Sequence, residues 1–175
     1  MVRALYIGRF NPPHLGHLEA VRFILSQPDI SELVIGIGSA QESYTLSNPL
    51  TAGERCELVI AMIREIALQK PNYFLVIPIQ DMNNNSLWVA HVLSICPSFD
   101  VVFSNNSLVR TLFENSGKKV ESIPLVNRES YSGTTIRKRI ENNLPWKQDV
   151  PPTVSRLLGE LKIQERLSKL AQSDT

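Results

Sequence analysis

Short apolar runs alternate with amphipathic segments along this chain, and the alternation predicts an open α/β sheet. Five runs have the length and composition of buried strands, and they span residues 4–7, 33–38, 73–79, 101–103 and 120–125. Segments with a helical spacing of apolar positions lie at 18–25, 51–70, 87–95, 107–114 and 132–142, with two short helices between 152 and 171. Strands that alternate with helices favour a parallel sheet of about five strands, with helices on both faces. Pro124 lacks a backbone donor, so we expect the fifth strand at or near an edge.

A polar turn of ten residues, 8–17, joins the first predicted strand to the first predicted helix. Its sequence is Gly-Arg-Phe-Asn-Pro-Pro-His-Leu-Gly-His. Such a turn lies where open α/β sheets bind ligands. His14 and His17 stand at the helix start, where unpaired N–H groups and the helix dipole favour an anion. Gly16 has no Cβ and so lets a phosphate approach the main chain, and Arg9 adds a cation. The turn therefore predicts a phosphate site.

A second polar segment opens the helix predicted at 132–142. Ser132, Gly133 and Thr134 supply hydroxyl groups and close backbone access at the helix start, and Arg137 lies one turn further on. Backbone donors and hydroxyls at such a position can hold phosphate oxygens, and the guanidinium can bind two of them at once. Taken alone, the segment would indicate a capped helix with a solvated arginine. Together with the first turn, it predicts a second wall of the phosphate site.

The composition is that of a globular protein. The 175 residues are 43% hydrophobic and 20% charged, with a net charge of +1, so we expect one domain over residues 1–175. No basic excess indicates a nucleic-acid surface, and no apolar stretch approaches the ~20 residues that span a bilayer. Cys56 and Cys96 lie among apolar neighbours, so we expect buried free thiols. Free thiols and the lack of a signal-peptide pattern favour a reducing cytoplasm.

The two polar segments resemble the two signatures of the HxGH nucleotidyltransferase superfamily, whose fold is a Rossmann-like sheet. The second signature, S-x-T-x-x-R, matches residues 132–137. The resemblance implies that His14, His17 and Arg137 are catalytic and contact the phosphates of a nucleoside triphosphate. It also implies a set of ATP-binding and phosphate-binding residues, namely Gly8, Arg9, Phe10, Gly16, Ser132, Gly133 and Thr134.

Three further segments resemble the archaeal-type nicotinamide-nucleotide adenylyltransferases over nearly the whole chain. They are Gly-Ser-Ala-Gln at 38–41, Thr-Ala-Gly-Glu-Arg at 51–55, and Asp81 with Asn-Ser-Leu-Trp at 85–88. The resemblance implies that ATP and nicotinamide mononucleotide react to give NAD and pyrophosphate. It implies magnesium that travels with ATP, and a homo-oligomer, commonly a hexamer. Four positions depart from the family pattern: Asn11 (usually Gln), Pro13 (usually aromatic), Tyr44 (often His) and Asn105 (often Gly).

The segment after the third strand suits the mononucleotide. Trp88 offers a flat face to a pyridinium ring, Asn85 can donate to and accept from a carboxamide, and Asp81 suits ribose hydroxyls. With the resemblance, these residues and Ser39 are the predicted nicotinamide-nucleotide site. Trp88 could equally anchor its helix in the core.

Further expectations concern four other side chains. Arg55 could reach a phosphate or form a surface salt bridge, and we expect His91 to be a structural histidine with its hydrogen bonds made. Thr51 and Glu54 have the spacing of a capping box, which predicts a helix start.

No carboxylate pair or Ser/His/Asp triad appears, and adenylyl transfer needs none, because a phosphate monoester is already ionised near neutral pH. Two other readings stay open. One is another enzyme with the same signatures, such as a pantetheine-phosphate or flavin-mononucleotide adenylyltransferase or a cytidylyltransferase. The other is a non-catalytic nucleotide sensor.

Overall fold

Five parallel strands form a single sheet in a computed structural model that describes residues 2–66, 73–124 and 131–173. The strands are β1 (Val2–Gly8), β2 (Ile30–Ile37), β3 (Tyr73–Pro78), β4 (Val101–Phe103) and β5 (Lys119–Glu121). Their order across the sheet is β3-β2-β1-β4-β5, with every neighbouring pair parallel. The predicted sheet is confirmed, and β5 lies at an edge. Pro124 lies beyond that strand, and Leu125 falls outside the described residues.

The helices follow the predicted order, with shifted ends. They are α1 (Leu15–Ser26), α2 (Ala52–Arg64), α3 (Asn85–Ile95), α4 (Ser107–Asn115), α5 (Gly133–Glu141), α6 (Pro152–Glu160) and α7 (Ile163–Ser173). The helix predicted over 51–70 ends at Arg64. The main-chain N–H groups of Glu65 and Ile66 donate to the carbonyls three residues earlier, Met62 and Ile63, and so close the last turn. Residues 67–70 of that prediction lie outside the described residues.

The central strands β1, β2 and β4 bury alternate side chains in two separate cores. On one face, Ala4 and Ile35 pack with α1, α2, α5, α6 and α7. On the other face, Leu5 and Val34 pack with α3 and α4. This is the period of two expected of a strand buried on both sides. Helices therefore cover both faces, as predicted.

The structure bears on two expectations from composition, the state of the cysteines and the absence of a membrane-spanning stretch. Cys56 and Cys96 are free thiols. Cys96 is buried, and burial raises its pKa to about 11, whereas Cys56 is only half-buried. Within residues 2–66, 73–124 and 131–173, no helix is long and apolar enough to cross a membrane.

An ion pair ties α7 to the start of α2. Thr51 and Glu54 form the predicted capping box, in which each side chain accepts from the other's main-chain N–H. The Glu54 carboxylate also accepts from both Nη atoms of Arg166, at 2.7 and 2.8 Å. Arg166 donates further to the Pro49 carbonyl and lies over the Tyr44 ring, 5.0 Å from its centroid. These contacts hold the middle of the loop between β2 and α2 and its end at α2.

We expect Glu54→Gln to destabilise the fold by about 1 kcal/mol, because glutamine keeps the cap but weakens the charged hydrogen bonds. The Arg166 hydrogen bonds lower the pKa of Glu54 below 4.5. A carboxyl pKa that is lowered by folding stabilises above its unfolded value and less as pH falls through its folded value. Urea unfolding from pH 7 to pH 3 should therefore show the difference between parent and variant shrinking below about pH 4.5.

Glu160→Gln is the matched control, since the Glu160–Arg156 pair on α6 is mostly exposed and contributes little. A Glu54→Gln variant as stable as the parent at pH 7 would contradict the prediction that the Glu54–Arg166 ion pair stabilises the fold.

Candidate active site

The predicted phosphate turn lies at the point where the connections of the sheet change direction. β2 and β3 lie to one side of β1, and β4 and β5 lie to the other, so a crevice opens at the carboxyl ends of β1 and β4. A cavity of about 300 Å³ occupies this crevice. Its lining comes from the end of β1, the start of α1, the end of β4 and the segments that follow β5 and precede α5. The lining residues are Tyr6, Ile7, Gly8, His14, Gly16, His17, Ala20, Ser104, Asn105, Asn106, Ile123, Pro124 and Tyr131.

His14 and His17 stack on each other at the start of α1. Their ring centroids are 3.7 Å apart, and the Phe10 ring lies against His17 at 4.4 Å. His14 is the N-cap residue, and its main-chain N–H donates to Nδ1 of His17 at 3.2 Å. Since Nδ1 of His17 accepts, the proton of the neutral ring is on Nε2. His17 therefore offers an N–H donor within the cavity.

Both histidines are neutral near pH 7. Burial lowers the pKa of His14 to about 4, and burial together with the neighbouring His14 lowers the pKa of His17 well below 6.5. Nδ1 of His14 is buried and has no hydrogen-bond partner among the described residues. Gly16 accounts for the close packing here, because a Cβ on it would lie 3.1 Å from that nitrogen. The pair can donate to an anion and gain charge as the anion binds.

The second predicted segment meets the first turn. Arg137 donates to the Asn11 carbonyl at 2.7 Å and to the Leu46 carbonyl at 3.1 Å. Its Nη2 reaches the Thr134 hydroxyl at 3.3 Å. Gly133 lies so close that a Cβ there would be 3.2 Å from the Asn11 oxygen. Partial burial and the nearby Arg9 lower the pKa of Arg137, as expected where cations converge. The two signatures thus form one corner.

Arg55 has neither of the roles predicted for it. It is fully buried, and all five of its N–H donors point at main-chain carbonyls. The acceptors are Arg9, Gly38, Ser39, Glu42 and Thr51, at 2.8–3.3 Å. The sequence does not reveal this role, because nothing in residues 51–55 indicates which turns a guanidinium will join. Arg55 holds the turn after β1 and the turn after β2 together.

A second cavity, of about 250 Å³, lies beside the first and contains the predicted nicotinamide-nucleotide residues. Asp81, Asn85 and Trp88 line it, with Met82, Asn106, Leu108, Val109 and Leu112. Trp88 packs edge-on against Phe113 at 5.5 Å and borders the core, while it also lines this cavity. Asp81 is fixed by Gln41, which accepts from its main-chain N–H at 2.9 Å and donates to its carboxylate at 3.3 Å.

The structure does not bring every predicted residue to a cavity wall. Gly8, His14, Gly16 and His17 line the first cavity. The rest of the predicted phosphate set, Arg9, Phe10, Ser132, Gly133, Thr134 and Arg137, adjoins this wall without lining it, and Ser39 lines neither cavity. Ser132 occupies the N-cap of α5 but makes no side-chain cap bond.

Three predictions about single side chains need correction or completion. Nε2 of His91 is buried with no partner in the described chain, so the expectation of a fully hydrogen-bonded histidine was wrong. Tyr44, whose role the sequence left open, has its ring against Arg166. Asn105 pairs with the main chain of Ile123, donating at 2.6 Å and accepting at 3.0 Å.

Sequence reasoning missed the wall that follows β4. Ser104, Asn105 and Asn106 come directly after a buried strand, which is the signal that identified the turns after β1 and β3. Tyr131, next to the second signature, was missed as well. Among the described residues, no group of three His, Cys, Asp or Glu side chains could hold a metal ion. A cation here would need ligands from the bound molecule and water.

Comparisons with known proteins show the family of the chain. Residues 5–139 match the cytidylyltransferase-like family. The nicotinamide-nucleotide adenylyltransferase of Picrophilus torridus is 45% identical over 173 residues, 99% of each chain. That of Pyrococcus abyssi is 47% identical over 171 residues, 98% of this chain and 90% of the relative.

A solved structure with lower sequence identity supports the fold. It is a bifunctional NMN adenylyltransferase/ADP ribose pyrophosphatase from Francisella tularensis, in complex with AMP and a manganese ion. Its TM-score with this chain is 0.79 at 17% identity, and the match covers 99% of this chain and 53% of that one. This likeness confirms the predicted sheet architecture.

We expect Arg55→Lys to lower the free energy of unfolding by at least about 2 kcal/mol, because an ammonium group has three donors for five carbonyls. Thermal and urea unfolding measure the loss. Arg22→Lys, at an exposed arginine on α1, should cost almost nothing. Equal losses for the two variants would show that the buried Arg55 guanidinium contributes little to the free energy of unfolding.

Proposed function

This chain belongs to the nicotinamide-nucleotide adenylyltransferases, within the cytidylyltransferase-like family, and we propose that it joins ATP and nicotinamide mononucleotide in the two neighbouring cavities. The products are NAD and pyrophosphate. The observation that carries the assignment to these cavities is the corner at the carboxyl end of β1, where the stacked histidines, Arg9 and Arg137 meet. The second cavity, with Asp81, Asn85 and Trp88, adjoins it and suits a pyridine nucleoside.

The reaction is a direct displacement at phosphorus. An oxygen of the mononucleotide 5′-phosphate forms a bond to the α-phosphorus of ATP. The bond from that phosphorus to the bridging oxygen breaks, and pyrophosphate leaves with the electron pair. The attacking phosphate is already ionised, so no general base is required. The protein contributes position and stabilisation of charge.

Each predicted residue of the phosphate corner has a place in this step. His17 donates from Nε2 to the α-phosphate as charge builds there, and His14 supports it. Arg9 and Arg137 hold the phosphate chain, with Arg137 nearer the leaving pyrophosphate. Gly8, Gly16 and Gly133 keep the main chain accessible, Phe10 supports the His17 ring, and Ser132 and Thr134 add hydroxyl donors at the start of α5.

The mononucleotide is held at the other end. Trp88 stacks on the pyridinium ring, Asn85 pairs with the carboxamide, and Asp81 accepts from ribose hydroxyls. Ser39, in the turn that Arg55 secures, belongs to this set through the family motif. Magnesium bound to ATP would neutralise phosphate charge. Its ligands would be phosphate oxygens and water, since no carboxylate in the described part of the chain lines the phosphate cavity and no described group of three His, Cys, Asp or Glu could hold the ion.

The proposal also covers the domain organisation and location of the chain, its oligomeric state and its partners. The chain is one nucleotidyltransferase domain over residues 1–175 that works in the cytoplasm. It assembles with copies of itself, as a hexamer by resemblance. Its partners are ATP, nicotinamide mononucleotide and NAD, with no nucleic acid and no membrane.

A pyrophosphate-release assay with ATP and a panel of acceptors tests the function. Turnover with nicotinamide mononucleotide, and NAD as the product, is the expected result. Turnover only with flavin mononucleotide, with phosphopantetheine, or with CTP in place of ATP would indicate another enzyme of the superfamily. ATP binding without turnover of any acceptor would favour a nucleotide sensor.

We expect His17→Ala to lower kcat about 100- to 1000-fold while ATP still binds, because one preorganised donor at the reacting phosphate is lost. His17→Gln should recover part of the rate, since the ring donates as a neutral group and an amide N–H can replace it. His91→Gln, at a histidine outside both cavities, is the control. A folded His17→Ala protein with parental turnover would remove His17 from the mechanism.

We expect Arg137→Lys to be impaired and Arg137→Ala more so, mainly in the ATP-dependent steps, because lysine cannot hold two oxygens in one plane. Steady-state kinetics with ATP as the varied substrate measure the effect. Arg156→Lys makes the same exchange at an exposed position on α6 and should be neutral. If both Arg137 variants match the parent, its guanidinium serves only to join the carbonyls of Asn11 and Leu46.

We expect nicotinamide mononucleotide to exceed its nicotinate analogue in kcat/KM. Asp81 is the one charged residue from 79 to 90, and the described lining of the second cavity contains no Lys or Arg to neutralise a carboxylate. A cationic pyridinium also gains more from the Trp88 face. Parallel kinetics with the two substrates decide the matter, and equal efficiency would contradict it. Trp88→Ala should raise KM about tenfold for either ring, and Trp88→Phe should raise it less.

A further inference from the structure

Asn106 stands between the two cavities. It follows β4 directly, and it alone among the described residues lines both the cavity of the stacked histidines and the cavity of Trp88. If ATP fills the first cavity and the mononucleotide the second, the two reacting phosphates meet beside this residue. The family motifs that identify the other site residues do not include it.

The hydrogen bonds of Asn106 leave half of its side chain available. Oδ1 accepts from the Val109 main-chain N–H at 3.0 Å and so closes the start of α4. The Asn106 main-chain N–H donates to the Ser104 hydroxyl at 3.1 Å, which fixes the backbone. Nδ2 has no partner within residues 2–66, 73–124 and 131–173. The amide is therefore held by its oxygen, with its two N–H donors unused.

The preceding asparagine provides the contrast. Both polar atoms of the Asn105 side chain are engaged by the main chain of Ile123, so Asn105 extends the pairing of β4 with the segment after β5. Asn105 lines one cavity and has a structural partner, whereas Asn106 lines two and keeps its donors. The difference leaves the Nδ2 donors of Asn106 available to a ligand, while its oxygen caps α4.

We propose that Asn106 contacts both substrates, donating from Nδ2 to the phosphate oxygens where the ATP and mononucleotide cavities meet. The role rests on the proposed function. Two phosphates that approach each other repel, and N–H donors between them reduce the repulsion where a carboxylate would increase it. An amide does not titrate, so this contribution is independent of pH. It therefore differs from the contribution of His14 and His17, because imidazoles titrate and an amide does not.

Three substitutions of Asn106 separate its role as a donor to substrate from its role as the cap of α4. Asn106→Ser and Asn106→Asp each keep an oxygen that caps α4, while Asn106→Ala removes both functions. We expect kcat to fall about 10- to 100-fold in the serine and alanine variants alike, and further in the aspartate variant. The serine variant should keep the parent's melting temperature, while alanine lowers it by about 2–4 °C. The shape of the kcat–pH profile should not change in the serine variant.

Asn84→Ser is the matched control. Asn84 caps α3 in the same way, with its oxygen accepting from Ser86 at 3.0 Å, but it lines neither cavity. We expect this variant to turn over like the parent. All variants are compared in the pyrophosphate-release assay, with thermal unfolding of the same preparations.

The outcomes distinguish this role from the function on which it rests. A serine variant that matches the parent, with only alanine impaired, would overturn the donor role and leave Asn106 as a helix cap. Losses that follow melting temperature would overturn it as well. A parent protein without NAD synthesis would overturn the proposed function, and the role of Asn106 with it.

Discussion

The main-chain carbonyls of the turn after β1 have to be satisfied while its N–H groups stay open to an anion. Arg55 and Arg137 meet this requirement from opposite sides, the first at the Arg9 carbonyl and the second at the Asn11 carbonyl. Buried main-chain oxygens without partners would be costly, and a guanidinium can serve several at once. The same two cations also place positive charge near the corner. In the proposed function, support of the turn and attraction of phosphate would therefore come from the same groups.

The fold and the phosphate corner could be predicted because they depend on local patterns. Apolar runs mark the strands, and the polar residues that follow β1 and β3 mark the carboxyl edge of the sheet. Arg55 could not be placed in this way, because four of its five acceptors lie in the turns after β1 and β2, which only the fold brings to it. Asn106 was missed because its two cavities are lined by segments that only the fold brings beside the end of β4. Its position after a buried strand was nevertheless a usable signal.

The neutral state of the stacked histidines changes how the corner recruits its ligand. Two protonated rings 3.7 Å apart would repel, and burial already disfavours charge on either ring. Positive charge at the corner of the free protein therefore comes from the arginines, which are permanently charged. A polyphosphate that enters offsets the cost of protonation, so the histidines can become charged when the anion arrives. The free site thus avoids a concentration of buried cations that would weaken the fold.

The contact between Arg166 and Glu54 also affects the order in which parts of the chain can fold during synthesis. The two residues are 112 positions apart, yet their ion pair fastens the loop whose Leu46 carbonyl holds Arg137. As a nascent chain leaves the ribosome, β1, α1 and β2 emerge first and can pair early. The loop beside them cannot be tied down until α7 has been synthesised. A chain that has completed α5 but not α7 would therefore carry both walls of the corner without this fastening, and binding competence would be among the last properties acquired during synthesis.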